Sequence, residues 1–352
     1  MTSVNNTNRN AAIEALRFFS ILQIAVWHLG KYFMNAGFLG VEFFFIIAGV
    51  FQYKNATKPT APGVIVYTVN KARKFYFEYL VAFLFLMVCL HEGIFNSFSK
   101  DWVKSILNII SELLMLQSTG GFSGPLNYPT WFFSVLVYGG AIVYAAVRYY
   151  TNISIRIIFP LLFILFTAFC FNNGNDMSLE QWGVIGGVIP YSMFRGMIEI
   201  SFGVLVGYIF FNYKQFFINN LHLLDLLSFV SLVFYCIIVV KSGINASYVF
   251  IFIPIILIDA LTPGSWMSKV FKGKIWIWLG NLSFSIFVLH ASLVALCRHF
   301  LHVVLSIELP VVLLVYLICL IPAAYIFKCF CGWFSGIMPV KVDFSSLVNK
   351  LS

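Results

Sequence analysis

The sequence predicts an all-α, polytopic membrane protein of about ten transmembrane helices with both termini in the cytoplasm. Three observations lead there. Hydrophobic residues make up 61% of the 352-residue chain and charged residues only 10%, against roughly 25% charged in soluble domains. Ten apolar segments approach the length of a bilayer-spanning helix, which needs about 20 residues. Lys and Arg gather in alternate connections, as they do on the cytoplasmic side of membrane proteins.

The first segment, 12–32, follows a polar stretch, Met1 to Asn10, that lacks the cationic start and small-residue cleavage site of a signal peptide. The helix is therefore expected to be retained. The others run over 37–53, 76–95, 130–149, 155–173, 192–211, 222–241, 246–262, 276–300 and 309–330. No polar stretch is long enough for a separate soluble domain. The expectation is one transmembrane domain over 1–352 with nothing appended.

The connections set the orientation. With the N-terminus inside, the loop after the second segment carries Lys54, Lys58, Lys71, Arg73 and Lys74 and no acid. The loop after the fourth has Arg148 and Arg156, and the loop after the eighth has Lys269, Lys272 and Lys274. The tail adds Lys328, Lys341 and Lys350 against Asp343. The opposite loops are sparser and more acidic, with Glu92, Asp101, Asp176 and Glu180. The net charge of +9 thus follows from topology and calls for no nucleic-acid partner; the surroundings in view are the lipid bilayer.

The outward connection 96–129 differs from the rest. Asp101, Lys104, Ser105, Asn108, Ser111 and Glu112 recur every three or four residues between Ile106, Leu107, Ile109, Ile110, Leu113 and Leu114. That pattern predicts an amphipathic helix lying flat at the outer interface. A flexible loop, Gly120-Gly121-Phe122-Ser123-Gly124-Pro125, follows it. Gly203 and Gly207 are spaced for a close helix crossing. The seven cysteines are scattered through apolar runs without a paired histidine cluster, so no metal site is expected.

Chemical capacity begins with Arg17 and His28. A charge within a membrane helix costs about 2.5–3.5 kcal/mol on insertion scales, so it is normally paired or functional. Eleven steps of about 100° bring the two side chains to within roughly 20° of one face, about 16 Å apart along the axis. Glu14 lies one turn from Arg17 and is placed to pair with it. His28 is a candidate general base because imidazole titrates near neutrality; the plainer alternative is a buried histidine that only bonds a neighbouring helix. Glu42 opens the next segment at a similar depth, where a carboxylate can orient the imidazole. Lys71, Arg73 and Lys74 are either topology determinants or a clamp for a polyanionic ligand such as the phosphates of a nucleotide-like molecule, which Arg17 would extend inward.

Four further residues are candidates for the lining of a second substrate pocket. Arg195 and Glu199 stand one turn apart, as a self-satisfied ion pair or as pocket lining. Trp131 is an interfacial anchor or part of the site. His290 lies in the middle of the ninth segment beside Asn281, Ser283 and Ser285, as a packing residue or as lining. Asp259 and Glu78 are expected to pair with nearby bases.

Together these residues form a set that resembles the acyltransferase-3 family of integral membrane acyltransferases. Arg17 and His28, ten residues between them, match the family's signature in its first helix. Gly40-Val41-Glu42-Phe43-Phe44-Phe45-Ile46-Ile47-Ala48-Gly49 resembles its Gly-Val-acid-aromatic stretch. Lys71-x-x-Lys74 with Tyr79 is similar to its basic motif. Trp131-Phe132-Phe133 and the run from Leu279 to His290 are weaker echoes. Ala48 stands where the family has serine, which argues against a serine nucleophile there. Phe77 replaces a proline, leaving the start of the third helix open, and Lys74 an arginine.

The resemblance implies acyl transfer from a cytosolic acyl-coenzyme A, acetyl-CoA by the family's habit, to a hydroxyl of a carbohydrate acceptor: a surface or exported polysaccharide or its lipid-linked precursor. It implies His28, Arg17 and Glu42 as catalytic residues, with His28 a base or a transient acyl carrier. Arg17, Lys71, Arg73 and Lys74 would hold the coenzyme, and Trp131, Arg195, Glu199 and His290 the acceptor. It also implies a bacterial cytoplasmic membrane. The oligomeric state stays open. The rival reading is a secondary transporter or flippase that uses the intramembrane Arg, His and Glu as a proton relay. Transporters of that kind show paired halves with broken helices, which this sequence lacks.

Overall fold

The computed structural model describes residues 9–30, 34–89, 102–120, 127–172, 184–185 and 189–337. The expected outward acids Glu92, Asp101, Asp176 and Glu180, the loop residues 121–126 and the tail residues Lys341, Asp343 and Lys350 lie outside them.

The architecture is helical throughout, apart from a two-residue antiparallel pairing of Val184–Ile185 with Ile189–Pro190. We number the principal helices α1 Ala11–Leu29, α2 Gly40–Ala56, α3 Val64–Cys89, α4 Trp102–Leu113, α5 Tyr128–Tyr149, α6 Thr151–Phe169, α7 Tyr191–Asn212, α8 Leu221–Val240, α9 Ala246–Leu261, α10 Lys274–Val304 and α11 Leu309–Ile337. Among the described residues eight helices are long and apolar enough to cross a membrane: α1, α2 (counted with the turn before it), α5, α6, α7, α8, α10 and α11. This differs from the ten expected segments at two places. α9 is a shorter apolar helix. α3 begins at Val64, well before the expected 76. Nothing breaks the helix between Gly63 and Cys89, and Thr68 and Lys71 bond within it, to the Val64 carbonyl and the Tyr67 hydroxyl, so it extends beyond the apolar run that marked it in the sequence.

α1 starts cleanly because the Asn10 side chain accepts from the amides of Ala12 and Ile13, satisfying donors that have no partner in the first turn. At its far end Arg298 donates to the Leu29 carbonyl, supplying a cation where the helix exposes its carbonyls.

α2 packs along α7 more closely than any other pair of described elements. The reason is the absence of side chains. A Cβ on Gly49 would lie 2.0 Å from the Ile200 carbonyl oxygen, and one on Gly203 would lie 2.0 Å from that of Ile46. The close crossing expected of Gly203 and Gly207 is found here, against α2. α1 packs along α10, where Gly280 meets Glu14. Around these pairs stand α3, α5 and α9. In α6, α8 and α11 only 22%, 28% and 22% of the apolar window is buried, against 67% in α1. Apolar surface left outside on this scale belongs against lipid, so these three helices are the peripheral ones and α1, α2, α5, α7 and α10 form the interior.

α4 is the expected amphipathic helix. Trp102, Val103, Ile106, Leu107, Ile110 and Leu114 are exposed, while Ser111 and Glu112 are buried. The polar end of the helix turns into the protein and its apolar stripe turns out.

Candidate active site

A cavity of about 450 Å³ lies between α1, α2, α3, α5 and α10. That volume is within the range of small-molecule sites, roughly 300–1,000 Å³. Its lining is of two kinds. One part is cationic and polar: Arg17, Lys71 and Lys74, with Gln52, Asn55 and Asn70. The other is aromatic: Phe44, Phe132, Phe133 and Phe287.

The sequence accounts for the cationic part locally. Arg17 is held by Glu14, one turn away, at 3.3 Å. Glu14 also meets Arg9 at 3.8 Å. Arg9 donates to the side-chain oxygen of Asn281, and Lys328 donates to the Asn281 carbonyl, so further cations stand at the same end. Lys71 reaches the Tyr67 hydroxyl at 3.1 Å, and the Tyr67 ring stacks on Tyr144 at 3.8 Å. Lys71 and Lys74 are one turn apart on α3 and point to the same side as Arg17. Arg73, on the other side of α3, is exposed and is not among the lining residues. α5 carries a π-helical stretch, Val135–Gly139, beside Lys71. Such wider turns free backbone carbonyls, and here the Gly140 carbonyl accepts from Gln52.

The aromatic part closes the cavity on the side of the histidines. Phe287 packs on Phe132 at 5.3 Å and Phe133 at 5.4 Å. Its other side meets His290, ring centroids 5.8 Å apart. His290 stacks on His28 at 5.1 Å with 27° between the planes. Tyr128 completes the group, 4.7 Å from His28 and 6.3 Å from His290. His290 is fully buried, and its Nδ1 lies 2.7 Å from the Phe287 carbonyl. A carbonyl can only accept, so Nδ1 carries a proton and donates it. The His290 Nε2 has no hydrogen-bond partner among the described residues.

A third cluster lies between α2, α5 and α7. Arg195 donates to Glu42 and, from Nε, to Glu199 at 2.8 Å. All three are buried. The guanidinium also sits over the Trp131 ring, 5.7 Å from its centroid. One oxygen of each carboxylate has no partner among the described residues. The group thus holds two acids and one base.

The structure brings the sequence candidates together in three places. Arg17, Lys71 and Lys74 share the cavity. His28 and His290 share one stack. Glu42, Arg195, Glu199 and Trp131 share the buried triad. Arg195 and Glu199 do form the expected ion pair, with Glu42 as a third member. Asp259 differs from expectation: it accepts from the Ser228 hydroxyl at 2.8 Å, and no base supplies that bond. Glu78 accepts from Ser285 at 2.7 Å and has a base, Lys328, within electrostatic reach, as expected. Tyr128, Gln52 and Asn55 were not singled out in the sequence. Gln52 and Asn55 had a signal, two amides one turn apart in an apolar helix; Tyr128 had none.

These features define the class: an integral membrane protein with a cation-lined cavity that leads, through one layer of aromatic rings, to a pair of imidazoles. The family model of the acyltransferase-3 domain matches residues 10–329. The chain belongs to that family and is a multi-pass membrane acyltransferase. No curated protein and no solved structure matches it.

Proposed function

We propose that the protein moves an acetyl group from cytosolic acetyl-coenzyme A to a hydroxyl of a carbohydrate: a surface or exported polysaccharide or its lipid-linked precursor. The observation that carries this is the position of Phe287, which lines the cationic cavity and also touches His290, the ring stacked on His28. Arg17, Lys71 and Lys74 hold the coenzyme's phosphates, and Arg73, outside the lining, takes no part. The acyl end extends past the aromatic layer toward His28.

In the reaction the acceptor hydroxyl gives its proton to His28 as its oxygen attacks the thioester carbon. The carbon–sulfur bond breaks, and the coenzyme thiolate takes the proton back from the imidazolium. In the two-step version the His28 nitrogen attacks the thioester carbon and the carbon–sulfur bond breaks, expelling the coenzyme thiolate. The hydroxyl oxygen then takes the acyl group, the carbon–nitrogen bond breaks, and the hydroxyl proton ends on the thiolate. Arg17 steadies developing charge or the coenzyme itself. Glu42 contributes as a member of the neighbouring buried triad, where it is held by Arg195. Trp131, Arg195, Glu199 and His290 border the acceptor's side. Lys and Arg on alternate loops support a reading with both termini in the cytoplasm, and we take the membrane to be a bacterial cytoplasmic membrane on the family resemblance.

The test is transfer of labelled acetyl from acetyl-CoA to membrane glycans by the purified protein in nanodiscs. Label in glycan, dependent on the protein, supports the proposal. Gradient-driven uptake of a solute without acyl turnover would replace it with the transporter reading.

A further inference from the structure

Glu112 closes α4 with its carboxylate turned inward and only 1% of its surface exposed. A buried carboxylate is costly unless several donors surround it. Three donate: the Tyr79 hydroxyl at 2.6 Å, Gln117 Nε2 at 2.8 Å and the Asn127 backbone amide at 3.1 Å, and the Thr130 hydroxyl, whose proton is shared with the Asn127 carbonyl at 2.6 Å, lies at 3.1 Å. These donors come from α3, from the turn after α4 and from the start of α5. Through these bonds one side chain ties three elements together. Two neighbouring bonds support the junction: Ser118 donates its amide to Ser134 at 3.1 Å and its hydroxyl to the Trp131 carbonyl at 3.2 Å.

Asn127 and Thr130 bracket Tyr128, the first residue of α5. The amide of Asn127, just before the helix, goes to the Glu112 carboxylate, and the Thr130 amide closes the turn onto the Asn127 carbonyl at 2.9 Å. Asn127 is further tied to α10 through its side-chain donor to the Val288 carbonyl, at 3.5 Å. The turn so fixed presents the Tyr128 ring to His28 at 4.7 Å.

We propose that Glu112 is a positioning residue for acyl transfer: by clasping the Asn127–Thr130 turn it sets Tyr128 against His28 and so fixes the direction of the imidazole. This rests on the role of His28 proposed above. Glu112 touches neither the cationic cavity nor the histidines. Its loss therefore acts on the catalytic step and leaves acyl-donor binding unchanged.

The experiment measures thiol release from acetyl-CoA by the full-length protein in nanodiscs, for wild type, Glu112→Gln, Tyr128→Ala and the double variant. We expect Glu112→Gln to lower kcat about tenfold, the worth of one hydrogen bond, with KM for acetyl-CoA unchanged. The double variant should be no slower than Tyr128→Ala alone, because both changes remove one device. Independent, multiplying effects would overturn the proposal, as would a Glu112→Gln protein with wild-type kcat. If Glu112→Gln does not fold, Tyr79→Phe removes the 2.6 Å donor and keeps the ring, and is read in the same way. A second measurement needs no turnover: modification of His28 by diethylpyrocarbonate, followed by mass spectrometry. Labelling several-fold faster in Glu112→Gln supports the clasp, and equal rates overturn it. Wild-type protein that releases no thiol would count against acyl transfer, and the labelling rates would still decide the clasp.

Discussion

His28 and His290 stack face to face, 5.1 Å apart, across the interface of α1 and α10. His290 is tied by Nδ1 to the Phe287 carbonyl. The stack packs the two rings against each other and leaves His290 Nε2 without a hydrogen-bond partner among the described residues.

His290→Ala should lower kcat for acetyl-CoA turnover about tenfold, because it removes the ring that packs on His28 and holds its direction, with KM for acetyl-CoA little changed. Steady-state kinetics in nanodiscs reads both. A raised KM at unchanged kcat would make His290 a binding residue instead.

Lys71→Ala and Lys74→Ala should each raise KM for acetyl-CoA about tenfold, since each removes one cation from an anion site, and should leave kcat near its wild-type value. Arg17→Ala should lower kcat as well. Donor binding should weaken as salt rises, as expected for charges that face water; titration calorimetry at two ionic strengths measures it.

The triad gives a stability prediction with a built-in contrast. Arg195→Ala leaves two buried carboxylates facing each other and should destabilise by about 3–5 kcal/mol. Glu199→Gln leaves one acid with one base and should cost much less. Thermal unfolding in detergent ranks them, and equal effects would contradict the pairing described here.

Gly203→Leu should separate α2 from α7. Its Cβ would meet the Ile46 carbonyl at 2.0 Å, and backbone cannot yield as a side chain does. A loss of about 1–3 kcal/mol is the ordinary cost of overpacking. Gly207→Ala, with its nearest contact at 2.9 Å, should be milder in the same assay.

Much of this was legible in the sequence because it depends on local spacing. The apolar runs marked the helices, and the ten residues between Arg17 and His28 put both on one face. Lys71 and Lys74, one turn apart, read as a clamp and line one cavity. The glycine spacing at 203 and 207 read as a crossing. What was not legible depends on contacts between distant segments. Glu112 looked like one more polar position on a surface helix, yet its partners sit at Tyr79, Gln117, Asn127 and Thr130. Glu42 was expected beside His28 by depth, and depth does not give direction; its carboxylate meets Arg195. The start of α3 was misplaced because hydropathy marks the apolar part of a helix and is silent about polar turns that continue it.

The most direct test is thiol release from acetyl-CoA by purified protein in nanodiscs, comparing wild type with His28→Ala at matched expression and folding. We expect turnover in wild type and its loss, by at least about a hundredfold, in the variant, with acetyl-CoA still bound in the cationic cavity. Full turnover in His28→Ala would contradict a reaction centred on this histidine.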